Sequence, residues 1–250
     1  MKNLKNKIEL LKTYQSICIY LPEDHSNPQS LNYCVEQYFT ETQEPLKVLD
    51  LGCGEGNSID FFQRLSESVI WHGVDIENSP EVKHRTRENA HISTFNGIDL
   101  PYPDNYFDLI FCHQVLEHVR HPDALISDAL RVMKPNGKFM GSVSYLEPYH
   151  SYSIFNFTPY GIARIFSDAG FELKEIRPGV DASMLINRQL LNRSILLRPI
   201  WQHNYLYGII NFIGWLFNLE HKHRNFLKIQ FSGHLVFIAL YSNQQAQQSK

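Results

Sequence analysis

The chain has 250 residues, of which 43% are hydrophobic and 20% charged, with a formal net charge of −3. That balance excludes a disordered or multispanning membrane protein and leaves no long basic stripe for a nucleic-acid backbone, so nucleic acid is a disfavoured partner. Cys18, Cys34, Cys53 and Cys112 show no paired metal-ligand spacing and read as reduced thiols, which points to a cytoplasmic protein.

Residues 1–45 read as a helical N-terminal extension. Leu4, Ile8 and Leu11 share one helical face, Glu9 and Lys12 interrupt any secretory apolar region, and Ser30–Phe39 forms a helix before the first strand. The apolar strand 46–51 contains Asp50 near its end and runs into Gly52, Gly54 and Gly56 at alternate positions, with Cys53 between them. Glycine accepts backbone angles that side chains forbid and lets a ligand approach the main chain. A helix over 58–66 follows, with Asn57 or Ser58 as its N-cap. Strand, glycine turn and helix N-terminus together make a pocket for a nucleoside with an anionic tail. The dinucleotide fingerprint G-x-G-x-x-G begun at Gly52 needs glycine at position 57, where Asn57 stands.

Further strands are expected at 70–75, 91–95, 107–112 and 138–143, with helices at 80–88 and 122–133 between them. The second strand, Trp71–Ile76, brings Asp75 to the place that faces a ribose in a doubly wound sheet. Thr158-Pro159 opens a helix that runs to Ala169 and closes at Gly170. Phe171–Ile176 reads as strand six and His234–Tyr241 as strand seven, before a polar, frayed tail from Ser242 to Lys250. The alternation predicts an α/β fold with a mostly parallel sheet and helices on both faces.

The D-x-G-x-G-x-G run of residues 50–56 resembles the nucleotide-binding motif of class I S-adenosylmethionine-dependent methyltransferases with a type 11 methyltransferase domain. Asn96–Asp108 is similar to that family's adenine-binding segment, with Asp99 matching the acid that takes the exocyclic amine and Ile98 beside it. His113–Val119 resembles the L-E-H segment after the fourth strand, and Arg131–Phe139 the turn into the fifth. These matches occur in the family's order across residues 46–146. The resemblance implies a Rossmann-like, seven-stranded sheet with the last strand antiparallel. The family joins its last two strands through a short connection, whereas here a helical insertion between strands six and seven, within the 57 residues from Arg177 to Gly233, separates them. The resemblance divides the chain into an extension (1–45), a cofactor-binding core (46–180), an insertion or lid (181–232) and a last strand with its tail (233–250). It implies S-adenosylmethionine as cofactor, bound by Asp50, Gly52, Cys53, Gly54, Gly56, Asp75, Ile76, Ile98, Asp99 and His113.

The reaction so implied moves a methyl group to oxygen or carbon of a small or lipid-linked metabolite, a sugar of a surface-polysaccharide pathway among them. An RNA-directed methyltransferase, a non-catalytic cofactor-binding or partner protein and a dinucleotide oxidoreductase are the alternatives. A methyl on a sulfonium is already activated, so alignment is the main task, and proximity supplies about 7–11 kcal/mol. A hydroxyl acceptor profits from a base, for which His118 and His150 are the candidates. Glu117, Tyr145 and Tyr149 are placed toward the acceptor, with Tyr152 beside them. Some relatives hold a metal with E-x-x-E-H and a later histidine; here Gln114 replaces the first acid, so no metal is expected.

The segment between strands six and seven is the unusual part. Pro199–Leu219 contains no Asp, Glu, Lys or Arg, and Asn204, Gly208, Asn211, Gly214 and Asn218 recur at helical spacing beside a broad apolar face. Arg188, Arg193 and Arg198 precede it, and Lys222, Arg224 and Lys228 follow. The pattern predicts an apolar helix with a basic collar. It suits a lid over a lipid-like acceptor, peripheral membrane contact through 199–228, packing on the sheet, or an oligomer interface through the same helix.

Overall fold

The computed structural model describes residues 2–41, 45–79, 91–149 and 151–242. Seven strands form one sheet: β1 (Lys47–Leu51), β2 (Ile70–Ile76), β3 (Ile92–Phe95), β4 (Phe107–His113), β5 (Met133–Ser144), β6 (Glu172–Pro178) and β7 (His234–Leu240), in the order β3-β2-β1-β4-β5-β7-β6. β1 is an interior strand, and four of its five residues are buried, as a strand covered on both faces requires. All pairings are parallel except those of β7, which runs antiparallel to both β5 and β6. The strand order reverses between β1 and β4, and in open α/β sheets a crevice for ligands opens beyond the carboxyl ends of the strands at that point.

The helices are α1 (Lys2–Glu9), α2 (Lys12–Gln15), α3 (Leu31–Glu41), α4 (Ser58–Leu65), α5 (Pro122–Val132), α6 (Pro159–Asp168), α7 (Ala182–Leu190), α8 (Arg198–Trp201), α9 (Tyr205–Leu216) and α10 (His221–Ile229). Proline occupies the first turn of α5 and α6, where its missing N–H costs nothing, and the Thr158 hydroxyl accepts from Gly161 N at 2.9 Å. The N-terminal segment is part of the core: Ile8, Tyr14, Ile17 and Leu21 pack with one buried cluster, and Leu31, Cys34 and Val35 with a second. The expected helix over 80–88 and the tail from 243 onward lie outside the described residues.

The insertion departs from its expected form in two ways. The run 199–219 is not one helix; it breaks at 202–204 into the short α8 and the longer α9. The basic residues after it form no collar, because α10 is built into the fold. Lys228 is 1% exposed and donates to the Ser26 carbonyl, and burial lowers its ammonium pKa to about 8. Arg224 donates to Leu219 O (2.8 Å) and Gly214 O (3.0 Å), and Lys222 to Glu23 (2.7 Å). No helix among the described residues is long and apolar enough to cross a membrane.

Candidate active site at the carboxyl ends of β1, β2 and β4

All three glycines after β1 adopt positive φ, +75° at Gly52, +52° at Gly54 and +81° at Gly56. A Cβ at Gly52 would stand 2.4 Å from Val115 Cγ2, so the turn that leaves β4 closes directly on the glycine turn. Gly52 N and Cys53 N donate to Val74 O at 2.8 and 3.1 Å, which ties the turn to the end of β2. Asp75 completes the tie: its carboxylate accepts from Gly54 N and from Ile76 N, each at 2.7 Å. A carboxylate offers about four acceptor sites, enough to serve both N–H groups and ribose hydroxyls as well. Cys53 is buried, its sulfur packed under Gly73, so it contributes backbone to the turn rather than a thiol.

Asp50 lies beneath the turn, 4% exposed, and accepts a hydrogen bond from the Ser58 hydroxyl. Trp71 Nε1 donates to the same hydroxyl at 3.0 Å. Ser58 therefore joins β1, β2 and the start of α4, whereas Asn57, at the N-cap position, makes no side-chain cap. Burial raises the Asp50 pKa to about 7, against the Ser58 hydrogen bond that lowers it, and repulsion from Asp75 adds to the rise. Between pH ~4 and ~7 the folded protein holds a proton that the unfolded chain has released, so stability falls as pH rises through that window. Asp50→Asn removes this dependence: in urea unfolding from pH 4.5 to 7.5, the wild type should lose about 3 kcal/mol more than the variant. Parallel pH profiles for the two proteins would show that Asp50 ionises normally.

On the other side of the crevice, Ile76 is 44% exposed next to Gly97, whose φ is +89°, and the pair leaves an apolar wall. Asn96 shapes the turn that follows. Its Oδ1 accepts from Ile98 N (2.9 Å) and Asp99 N (2.8 Å), and its Nδ2 donates to Asp99 Oδ2 (2.7 Å). The Ile98 N–H is thus engaged by Asn96, while Asp99 stays exposed. Arg131 locks the rest of the segment. It donates to Tyr102 O (2.8 Å), Leu100 O (3.0 Å), Asp104 (2.9 Å) and Asp128 (2.6 Å), and Asp128 in turn accepts from Leu100 N (2.6 Å). Neither Asn96 nor Arg131 was singled out from sequence. The nearby acids Asp99, Asp104 and Asp128 were the only signal for them.

Beyond β4, His113 is exposed and stacks on Phe111 with ring centroids 6.1 Å apart. Gln114 follows with φ +56°, a left-handed conformation costly for a residue with a Cβ. Its amide nitrogen donates to Ser144 Oγ (3.0 Å) and Glu117 Oε1 (2.9 Å), and its oxygen accepts from Val143 N (3.2 Å) and Ser142 Oγ (3.2 Å). Ser144 Oγ lies 3.0 Å from Glu117 Oε1 and 2.7 Å from Glu147 Oε2, which is 2.8 Å from His234 Nε2. Glu117 does not face an open pocket as expected. It is 0% exposed, burial raises its pKa, and its Oε2 has no partner among the described residues. Glu117 Oε1 also accepts from the Gln114 amide (2.9 Å) and Ser144 N (3.3 Å), which leaves the Ser144 hydroxyl free to donate to Glu147. Tyr145 and His118 are half-buried, Tyr149 stands out in solvent at 78% exposure, and His150 lies outside the described residues. No group of three or more His, Cys, Asp or Glu among the described residues could hold a metal ion. A cavity of about 400 Å³ opens between α3 and the β5-β7-β6 edge, but it shares no residue with this site.

The arrangement suits an adenosine-bearing cofactor: a turn without side chains, an acid fixed at the end of β2, and an exposed acid on the 96–99 turn. Comparison with known proteins agrees. The methyltransferase domain family matches residues 49–141. The C-methyltransferase of ubiquinone and menaquinone biosynthesis from Shewanella pealeana is 32% identical over 125 residues, covering 45% of this chain and 49% of that protein. The ubiquinone biosynthesis O-methyltransferase of Pasteurella multocida is 29% identical over 134 residues, covering 47% and 53%. The chain spans about half the length of the curated relatives it matches. Among solved structures, an S-adenosylmethionine-dependent methyltransferase of Archaeoglobus fulgidus shares the fold with a TM-score of 0.56 at 16% identity, covering 84% of this chain and 92% of that one. Residues 49–141 thus match the methyltransferase domain family, and the seven-stranded sheet with its antiparallel last strand is the Rossmann-like fold of S-adenosylmethionine-dependent methyltransferases.

Proposed function

We propose that this protein transfers a methyl group from S-adenosylmethionine to an oxygen or carbon atom of a small or lipid-linked metabolite. The observation that carries this reading is the glycine turn itself, three positive-φ glycines held by Asp75 at the switch point of the sheet. Bound there, the cofactor supplies a methyl group already activated by its sulfonium.

The chain's own residues have three tasks. Gly52, Gly54 and Gly56 offer backbone to the amino-acid end, and Asp75 accepts from the ribose hydroxyls. Ile76 and Ile98 flank the purine, and Asp99 accepts its exocyclic amine, on a turn that Asn96 and Arg131 hold in place. On the acceptor side, His118 and His150 are the candidates to take a proton from a hydroxyl, His118 lying beside the buried Glu117. Glu117 acts as a positioning residue, held through its Oε1 by Ser144 and the Gln114 amide. Two relatives are named as a C- and an O-methyltransferase of quinone biosynthesis, which supports a lipid-like acceptor and leaves both atoms open.

The test is label transfer from methyl-labelled S-adenosylmethionine into cell extract separated into organic-soluble and aqueous fractions. Label in the organic phase marks a lipid-linked acceptor, and label in aqueous small molecules a soluble one. A folded protein that binds the cofactor product yet labels neither fraction would contradict the proposal.

A further inference from the structure

The helix α9 has two apolar faces, and the fold uses only one. Tyr207, Ile210 and Gly214 turn inward. Tyr207 N donates to Asp181 Oδ2 at 2.9 Å, the Tyr207 hydroxyl meets Ser232 Oγ at 2.7 Å, and Arg224 lies against Gly214. The outer face carries Phe212 at 61% and Trp215 at 72% exposure, the end of α7 adds Leu190 at 76%, and the loop after it adds Ile195 at 83% and Leu196 at 91%. Scattered surface apolar residues are ordinary, but so many large, well-exposed ones within residues 190–215, with Phe212 and Trp215 packed ring against ring, mark a contact surface.

Charge identifies what covers it. Residues 182–219 hold three arginines, Arg188, Arg193 and Arg198, all exposed, and no lysine, aspartate or glutamate, in a chain whose net charge is −3. The acids at either end are already engaged: Asp181 is buried and accepts from Ser183 and Tyr207, and Glu220 pairs with Lys5. We infer that residues 188–217 dock on an anionic lipid surface, with Trp215, Phe212 and Leu196 entering the headgroup boundary and the three arginines meeting lipid phosphates. Aromatic and aliphatic side chains on one face with basic residues at the rim is the composition of a helix lying in a membrane interface. At 12 residues α9 is about 18 Å long, too short to cross a hydrocarbon core of about 30 Å. A second copy of the chain fits less well, because a twofold contact through this patch gathers six arginines with no acid between them.

The surface also adjoins the acceptor side of the site. Arg188 and Arg193 share a small cleft with Glu147 and Pro148 of the loop after β5. If the proposed methyl transfer holds, a membrane-resident acceptor is presented next to the Glu117–Ser144–Glu147 network; that last step alone rests on the functional reading.

Sedimentation with vesicles of phosphatidylcholine, with and without 30 mol% phosphatidylglycerol, tests the docking. The full-length protein should bind the anionic vesicles, bind the neutral ones far more weakly, and release as salt is raised. Replacing Arg188, Arg193 and Arg198 together with Gln should reduce anionic-vesicle binding about 100-fold. Trp215→Ser with Leu196→Ser should reduce binding at any salt. These positions are exposed, and unchanged circular dichroism with unchanged calorimetric binding of S-adenosylhomocysteine separates lost docking from lost folding or a failed cofactor site. Equal or absent binding to both vesicle types would overturn the inference. So would a dimer in gel filtration that Trp215→Ser dissociates.

Discussion

Asp75→Ala should lower the affinity for S-adenosylhomocysteine by about 100- to 20,000-fold, the loss of two hydrogen bonds to a charged acceptor at about 1.5–3 kcal/mol each. The carboxylate holds Gly54 N and Ile76 N at 2.7 Å, which sets the glycine turn, and in the proposed site it also accepts from the ribose, so both contacts fail together. Asp75→Asn keeps the shape but one acceptor oxygen only, so it should fall between the wild type and the alanine variant. Removing the negative charge also relieves Asp50, whose pKa Asp75 helps to raise, so the stability cost should be smaller than the binding cost. Calorimetric titration measures the first effect and urea unfolding the second. An affinity change below about threefold would remove Asp75 from the cofactor site.

Gly52→Ala should destabilise the protein by about 2–5 kcal/mol, through a left-handed backbone position and an overpacked contact. The first part comes from φ +75°, the second from a Cβ only 2.4 Å from Val115 Cγ2. The two can be separated. In the Gly52→Ala, Val115→Ala double variant the two contacts below 3 Å disappear, the Cβ of residue 115 stays 3.1 Å away, and the backbone cost remains. The double variant should therefore be about 1–2 kcal/mol more stable than the sum of the single effects allows. Strict additivity would show that the turn leaving β4 does not close on the glycine turn. Cofactor affinity should stay depressed in the double variant, since the altered backbone is the proposed binding surface.

The parts of this fold that were legible in sequence are those where backbone geometry dictates residue type. The glycines after β1, the acid at the end of β2, the prolines opening α5 and α6 and the alternation of strands and helices all have a local cause. What sequence could not give depends on contacts between distant segments. Glu117 lies in a segment that resembles an acceptor-facing motif, yet Gln114 and Ser144 enclose it completely. The basic residues of α10 read as a surface collar, but Lys228 reaches across 202 residues to the Ser26 carbonyl. Arg131 gave no signal of its own, because its carbonyl partners, Leu100 and Tyr102, have no sequence signature. The insertion's apolar run read as one helix because its composition carries no charge. The chain nevertheless breaks at 202–204, and its inward face is set by Gly214 under Arg224, a packing choice rather than a periodicity.

The most direct test of the account is calorimetric titration of the folded protein with S-adenosylmethionine, S-adenosylhomocysteine and NADH, with Asp99→Ala alongside. Micromolar binding of the two sulfur nucleosides, weakened in the variant and absent for NADH, is the predicted result. A folded protein that binds neither sulfur nucleoside would contradict the account and leave the glycine turn as a structural corner only.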